Sequence, residues 1–67
     1  MTKPQRTRLV QKELRDAGFR PGHQVGSHTK WVHPSGISVA VPDGHPIITA
    51  GVYKSIQQAI YQAQENQ

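Results

Sequence analysis

The residues with the clearest potential for chemistry lie in one stretch, VGSHTKWVHPSG, which runs from position 25 to position 36. It contains His28 and His33, and an imidazole can take up or release a proton near neutral pH. The chain has no cysteine, and its four histidines are separated by 5, 5 and 12 positions, which matches no compact zinc motif. The stretch therefore favours proton transfer over metal binding, unless both histidines are only structural.

The direction of these side chains depends on which face of a strand is buried. A strand from His28 to His33 would place alternate residues on opposite faces, with His28, Lys30 and Val32 on one and Thr29, Trp31 and His33 on the other. Burying the first set would bury the Lys30 ammonium, which is costly to desolvate, whereas burying the second set buries the large apolar area of Trp31. We therefore expect Trp31 in the core and His28 and Lys30 on an open face of a sheet.

We expect no catalytic role for the other three histidines. We expect His33 to bond the backbone near the turn Pro34-Ser35-Gly36, and we interpret His23 and His45 as solvated loop residues. Trp31 has an alternative role, because an outward tryptophan can stack on a nucleic-acid base.

The first element that must position this stretch is a helix, predicted from about residue 3 to Ala17. Thr2 to Gln5 has the form of a capping box with Pro4 in the first turn, although Thr7 is a second possible N-cap. Gly18 is placed to end the helix in a left-handed conformation.

Three short strands and a second helix are predicted to follow. The strands are expected at Phe19–Gln24, His28–His33 and Ile37–Val41, and the last shows the period-two alternation of a half-buried strand. Thr49 is a suitable N-cap for the second helix, whose apolar positions lie on one face: Val52, Ile56, Ala59, Ile60 and Ala63. The 67 residues therefore predict one α+β domain, with two helices packed on one face of a three-stranded antiparallel sheet.

The positive charge is concentrated at the start of the chain. Residues 1–20 carry six basic and two acidic side chains, whereas the remaining residues carry two of each, so the first segment holds the whole net charge of +4. On the predicted helix, Arg8, Lys12 and Arg15 form a stripe opposite the apolar face. This stripe is interpreted as an interface for nucleic acid or for an acidic partner, or simply as a solvated face.

The distribution of apolar residues indicates the cellular location expected for the protein. No apolar run approaches the roughly 20 residues of a membrane span, and the N-terminus has no apolar signal region. We therefore expect no membrane partner and a cytoplasmic location.

From about residue 8 to residue 60, the chain resembles the HicA family of mRNA-interferase toxins, the toxins of bacterial type II toxin–antitoxin pairs. The resemblance rests on the order and spacing of several short motifs: Ala17-Gly18-Phe19, Gly26-Ser27-His28, Trp31, His33-Pro34, Gly36, Val41-Pro42 and Lys54-Ser55-Ile56. It implies a double-stranded-RNA-binding-like αβββα fold, no cofactor, a bacterial or phage gene and a HicB-type antitoxin as partner. It also implies that His28 is the single catalytic histidine of a metal-independent ribonuclease that cleaves mRNA.

The chemistry of RNA cleavage suggests further roles for the neighbouring residues. His28 would act as general acid or base, Lys30 would stabilise the phosphorane charge, and Ser27 could orient the phosphate. The stripe of Arg8, Lys12 and Arg15 would meet RNA phosphates or an acidic antitoxin surface.

Two other functions remain open. This chain has Val32 where many members of the family carry a basic residue, and its loop 43–51 has no lysine or arginine. The main alternative is therefore a catalytically inactive module of the same fold that binds RNA or an antitoxin. A DNA-binding function is weaker, because no helix-turn-helix spacing is present.

Overall fold

The computed structural model describes residues 3–65 as an α+β fold with two helices and a three-stranded antiparallel sheet. In chain order the elements are β1 (Gln5–Arg6), α1 (Thr7–Asp16), β2 (Arg20–Val25), β3 (His28–Val32), β4 (Ser38–Val41), β5 (Ile47–Ile48) and α2 (Ala50–Glu65). The main sheet has the order β2-β3-β4, so the predicted meander between two helices is confirmed. The two-residue strands β1 and β5 form a second, small sheet that the sequence did not predict.

The first helix begins later than predicted. Gln5 and Arg6 pair with Ile48 and Ile47 in the small sheet, so this segment is extended rather than helical. The expected position of Pro4 in the first turn is therefore wrong, and Thr2 lies outside the described residues.

Thr7 is the first helical residue rather than the N-cap. Arg6 occupies the cap position without a side-chain hydrogen bond to the helix. The Thr7 backbone N–H donates to the carbonyl of Pro46 at 3.0 Å, and its hydroxyl donates to the carbonyl of His45. Contacts with the loop before β5 therefore replace a local cap at the start of α1.

The end of α1 agrees with the prediction. Gly18 has a φ of 98°, and its N–H donates to the carbonyl of Arg15 at 3.0 Å. The N–H of Phe19 donates to the carbonyl of Leu14 at 2.9 Å, which completes a Schellman motif. This turn directs Phe19 into the core, where it is fully buried.

The strands differ from the predicted bounds by one residue at several ends. β2 begins at Arg20 rather than Phe19, whose N–H bonds to Leu14 of α1, and it ends at Val25 rather than Gln24. β3 ends at Val32, because the chain bends there into the turn that His33 helps to close. β4 begins at Ser38 instead of Ile37.

The core lies between the sheet and the helices. Val10 and Leu14 of α1 and Ile56 of α2 belong to the same buried cluster as Trp31 and Val41 of the sheet. Among the described residues, no helix is long and apolar enough to cross a membrane.

The second helix starts as predicted, but the side chains that it buries differ slightly from the predicted apolar face. Thr49 precedes α2, and its hydroxyl lies 3.5 Å from the N–H of Val52. Tyr53 is buried although the sequence pattern omitted it, and Val52 and Ile60 are only partly buried. The Tyr53 hydroxyl donates to the Glu13 carboxylate, at 2.8 Å and 3.0 Å from its two oxygens, and so connects α2 to α1.

The environment of Tyr53 predicts an alkaline limit to stability. Burial raises the pKa of Tyr53 above its ordinary value of 10.0, and the hydrogen bond and negative charge of Glu13 raise it further. The stability that the fold gains from the neutral Tyr53 hydroxyl is fully present below the pKa that tyrosine has in the unfolded chain. It is lost as the pH rises above that value. We expect the melting temperature of the wild type to fall more steeply than that of Tyr53→Phe as the pH rises above about 10. Tyr61→Phe, which alters an exposed phenol, should follow the wild type; parallel curves for all three proteins would contradict the prediction.

Candidate functional site

The open face of the sheet presents the side chains that the sequence predicted for it. Along β3, Thr29 and Trp31 are buried, and Trp31 retains only 1% of its accessible surface. His28 and Lys30 alternate with them and are exposed on the side away from the core. Lys30 lies opposite Ala40 on β4, so a small side chain leaves the surface beside the ammonium open.

Ser27 and His28 lie where the β2–β3 turn enters β3. Gly26 takes the left-handed conformation that the tight turn requires, with a φ of 60°. Ser27 Oγ lies 3.3 Å from Nδ1 of His28, and this hydrogen bond depends on the tautomer of the ring. Among the described residues, no hydrogen-bond partner lies against Nε2 of His28, which leaves that nitrogen accessible to a ligand.

The loop at residues 42–46 supports this turn from the other side. The N–H of Gly44 donates to the carbonyl of Ser27 at 2.9 Å. A Cβ atom at position 44 would lie 2.7 Å from the Ser27 Cβ and 2.9 Å from its Cα, so only glycine fits at this contact. The loop thereby restricts the backbone immediately before His28.

Asp43 anchors the loop and was not singled out by sequence reasoning. Its carboxylate accepts hydrogen bonds from the Thr29 hydroxyl at 2.8 Å, the Trp31 indole N–H at 3.1 Å and the Gln11 amide at 3.3 Å. The only local signal was a Pro-Asp-Gly turn, which does not indicate partners on β3 and α1. Asp43 is a structural residue that connects the candidate site to the core.

The basic stripe on α1 is exposed, but its three members differ. Lys12 forms an exposed ion pair with Asp16 at 3.0 Å. The Arg15 guanidinium carbon lies 5.3 Å from the centroid of the Trp31 ring, a cation–π distance. Arg8 has no ion pair within residues 3–65 and, with Arg6, borders an open groove of about 530 Å³ that runs to Gly44 on the supporting loop. The structure describes no direct contact between this stripe and His28 or Lys30.

The other histidines have separate environments. His33 is 5% exposed; its Nδ1 accepts the N–H of Ser35 at 3.0 Å and lies 2.9 Å from the Ser35 hydroxyl, and its ring centroid is 5.1 Å from that of Phe19. These contacts agree with a structural role. His45 lies in the loop 42–46 as expected, whereas His23 lies within β2 rather than in a loop.

Comparison with known proteins assigns no family. No protein-family model matches the chain, and no curated protein matches it either. The described part of the chain also contains no group of three or more histidine or acidic side chains that could hold a metal ion. The likeness to HicA toxins therefore remains a prediction from the motifs.

The Asp43 contacts predict that replacing this aspartate destabilises the protein much more than replacing the exposed Asp16. Asp43→Ala removes the acceptor of the buried Thr29 hydroxyl and Trp31 indole, so we expect a loss of about 2 to 3 kcal/mol in the free energy of unfolding. Asp16→Ala removes only an exposed i,i+4 ion pair and should cost less than about 0.5 kcal/mol. Urea unfolding followed by the fluorescence of Trp31, the single tryptophan, measures both. Equal losses in the two variants would contradict the structural role of Asp43.

Proposed function

We propose that this protein is the toxin of a HicA/HicB-type pair, a metal-independent endoribonuclease that cleaves mRNA with His28 as catalytic residue. The observation that carries the proposal is the exposure of the His28 imidazole on the open face of the sheet, two residues from the Lys30 ammonium. The order of one helix, a three-stranded antiparallel meander and a second helix supports the double-stranded-RNA-binding-like αβββα fold of that family.

The proposed chemistry uses the nucleophile that RNA already carries. The 2′-hydroxyl attacks the adjacent phosphorus, the bond from phosphorus to the 5′-oxygen breaks, and a 2′,3′-cyclic phosphate and a 5′-hydroxyl result. His28 transfers a proton in this reaction, as general base towards the 2′-hydroxyl or as general acid towards the 5′-oxygen. Lys30 stabilises the negative charge that develops on the phosphoryl oxygens. Ser27 is hydrogen-bonded to Nδ1 of His28 and orients the ring as well as the phosphate.

The distribution of charge supports an anionic substrate. Of the four acidic residues, Asp43 and Glu13 bind groups of the protein interior, Asp16 binds Lys12, and Glu65 lies at the end of α2 with no ion pair among the described residues. The charge of Lys30 is therefore not neutralised by any carboxylate partner among residues 3–65. Arg8 likewise has no ion pair there and is available to RNA phosphates or to an acidic HicB-type antitoxin. In this proposal the protein is encoded by a bacterium or a phage and acts in the cytoplasm.

His28→Ala tests the proposal directly. In buffer containing EDTA, we expect the wild type to cleave single-stranded RNA to products with 2′,3′-cyclic phosphate ends. His28→Ala should lose at least about 10²-fold in rate, because a proton-transfer residue contributes roughly that factor or more. His45→Ala, which changes an exposed loop imidazole, is the matched control and should cleave like the wild type.

Two results of this assay and one growth experiment in cells distinguish the candidate functions. Equal cleavage by His28→Ala and the wild type would remove His28 from the mechanism. Retention of RNA without cleavage by the wild type would favour the inactive binding module. Growth arrest by the wild-type gene, relieved by His28→Ala, would connect the nuclease to toxicity.

The basic stripe predicts how RNA binding depends on salt. Each phosphate contact releases counterions, so the loss of one contact should reduce the slope of log affinity against log salt by about 1. We expect this reduction for Arg8→Ala, measured by fluorescence anisotropy with a labelled RNA. Lys54→Ala, an exposed lysine on α2, is the control and should retain the wild-type slope. An unchanged slope for Arg8→Ala would instead assign the stripe to a protein partner or to solvent. Arg15 is less suitable for this test because it also covers Trp31.

A further inference from the structure

A β-bulge places a second histidine beside the candidate site. Between two regular pairs of β2 and β3, two residues of β2, Gly22 and His23, lie opposite the single residue Lys30 of β3. The flanking pairs are Pro21 with Trp31 and Gln24 with Thr29. One extra residue on one strand is the defining feature of a bulge, and bulges next to active sites often redirect a side chain.

The register determines which face His23 occupies. Gln24 pairs with Thr29, whose side chain is buried on the helix side of the sheet. Because side chains alternate along a strand, His23 points to the opposite, open face. Without the extra residue, the register before the bulge would continue and pair His23 with Thr29, which would turn its imidazole towards the helices.

His23 therefore shares a surface with His28 and Lys30. Continuing the register of the Gln24 and Val25 pairs places His23 directly opposite Lys30, where cross-strand Cβ atoms are about 5 Å apart. His28 pairs with Val25, two residues after His23, so the two histidines are diagonal neighbours at about 7 to 8 Å. All three side chains belong to exposed residues.

Gly22 permits this arrangement. A Cβ atom at position 22 would lie 2.9 Å from the backbone carbonyl oxygen of Lys30, so a side chain there would push the strands apart. The residue that creates the bulge thus has no side chain, and the following residue carries the imidazole.

The surroundings of His23 are cationic. The charged and titratable groups that face it are Lys30 and His28 from β3 and Arg20 from its own strand, which pairs with the outward-facing Val32. Among residues 3–65, β2 pairs only with β3, so no other strand borders it. The four carboxylates lie on the helices or, for Asp43, on the loop bonded to the buried side of β3. Such a surface suits a phosphate group between two imidazoles.

We propose that His23 is a second catalytic residue, in addition to the single catalytic histidine that the resemblance implies, and that it exchanges the other proton of the RNA cleavage assigned to His28. This inference rests on the proposed function. A neutral imidazole of the pair accepts the 2′-hydroxyl proton while the phosphorus to 2′-oxygen bond forms. The protonated imidazole of the pair donates its proton to the 5′-oxygen as the phosphorus to 5′-oxygen bond breaks. The reaction balances with no oxidant, reductant or other co-reactant, and Lys30, opposite His23 and two residues from His28, binds the phosphoryl oxygens.

The pH dependence of kcat separates a proton-transfer role from a structural one. The wild type should give a bell-shaped profile with one limb for the base and one for the acid. His23→Ala and His23→Gln should each lose about 10²-fold or more in kcat and retain only one limb. Loss of the limb at low pH would identify His23 as the base, and loss of the limb at high pH would identify it as the acid. Gln retains hydrogen bonding without titrating near neutrality, and His45→Ala should keep the wild-type profile.

A second measurement keeps the inference separate from the proposed function. If His23→Gln retains the wild-type kcat and both limbs while His28→Ala is inactive, the role of His23 is overturned and the ribonuclease proposal stands. If the wild type does not cleave RNA, the catalytic role of His23 is overturned together with the proposed function, and imidazole NMR with a fully 2′-O-methylated RNA, which lacks the nucleophile, tests only whether the two histidines share a binding site. Joint shifts of the His23 and His28 signals would support the shared site, and a shift of only one or of neither would overturn it.

Discussion

The burial of Trp31 is the constraint on which the rest of the structure depends. An indole removes about 200 Å² of surface from water, which corresponds to roughly 5 kcal/mol of transfer free energy in a domain with few large apolar residues. The opposite orientation of β3 would bury the ammonium of Lys30 instead, and desolvating an unpaired charge is more costly than any contact it could form there. Since side chains alternate, burying Trp31 also exposes His28 and Lys30 on the other face.

The indole N–H of Trp31 extends this effect beyond the strand. Its hydrogen bond to Asp43 holds the loop at residues 42–46 against the core, and Thr29 and Gln11 share the same carboxylate. That loop then contacts the Ser27 backbone through Gly44. The hydrogen bond that satisfies the buried indole N–H of Trp31 therefore also restrains, through this loop, the turn before His28. The candidate site is therefore supported from the core rather than by its own exposed residues.

Two of the acidic side chains are also used in the interior of the fold. The internal acidic residues bind groups that the fold needs, such as the Tyr53 hydroxyl and the Trp31 indole, and so do not neutralise the open face. The lysine of that face has no carboxylate partner among residues 3–65, and the bulge in β2 adds an imidazole opposite it. A small domain gains from this division, because its few carboxylates stabilise the interior while the exposed cations remain available to an anionic ligand.

Sequence alone determined the features that depend on neighbours along the chain. The order of helices and strands, the end of α1 at Gly18 and the inward direction of Trp31 follow from local periodicity, alternation and glycine conformation. Only the tertiary structure decided the start of α1 at Thr7, the three donors to Asp43 and the direction of His23. Gln5 and Arg6 have partners more than forty positions away in β5, Asp43 binds side chains of two different elements, and the bulge exists only relative to the register of β3. These features depend on contacts between distant segments, which no local pattern of residues encodes.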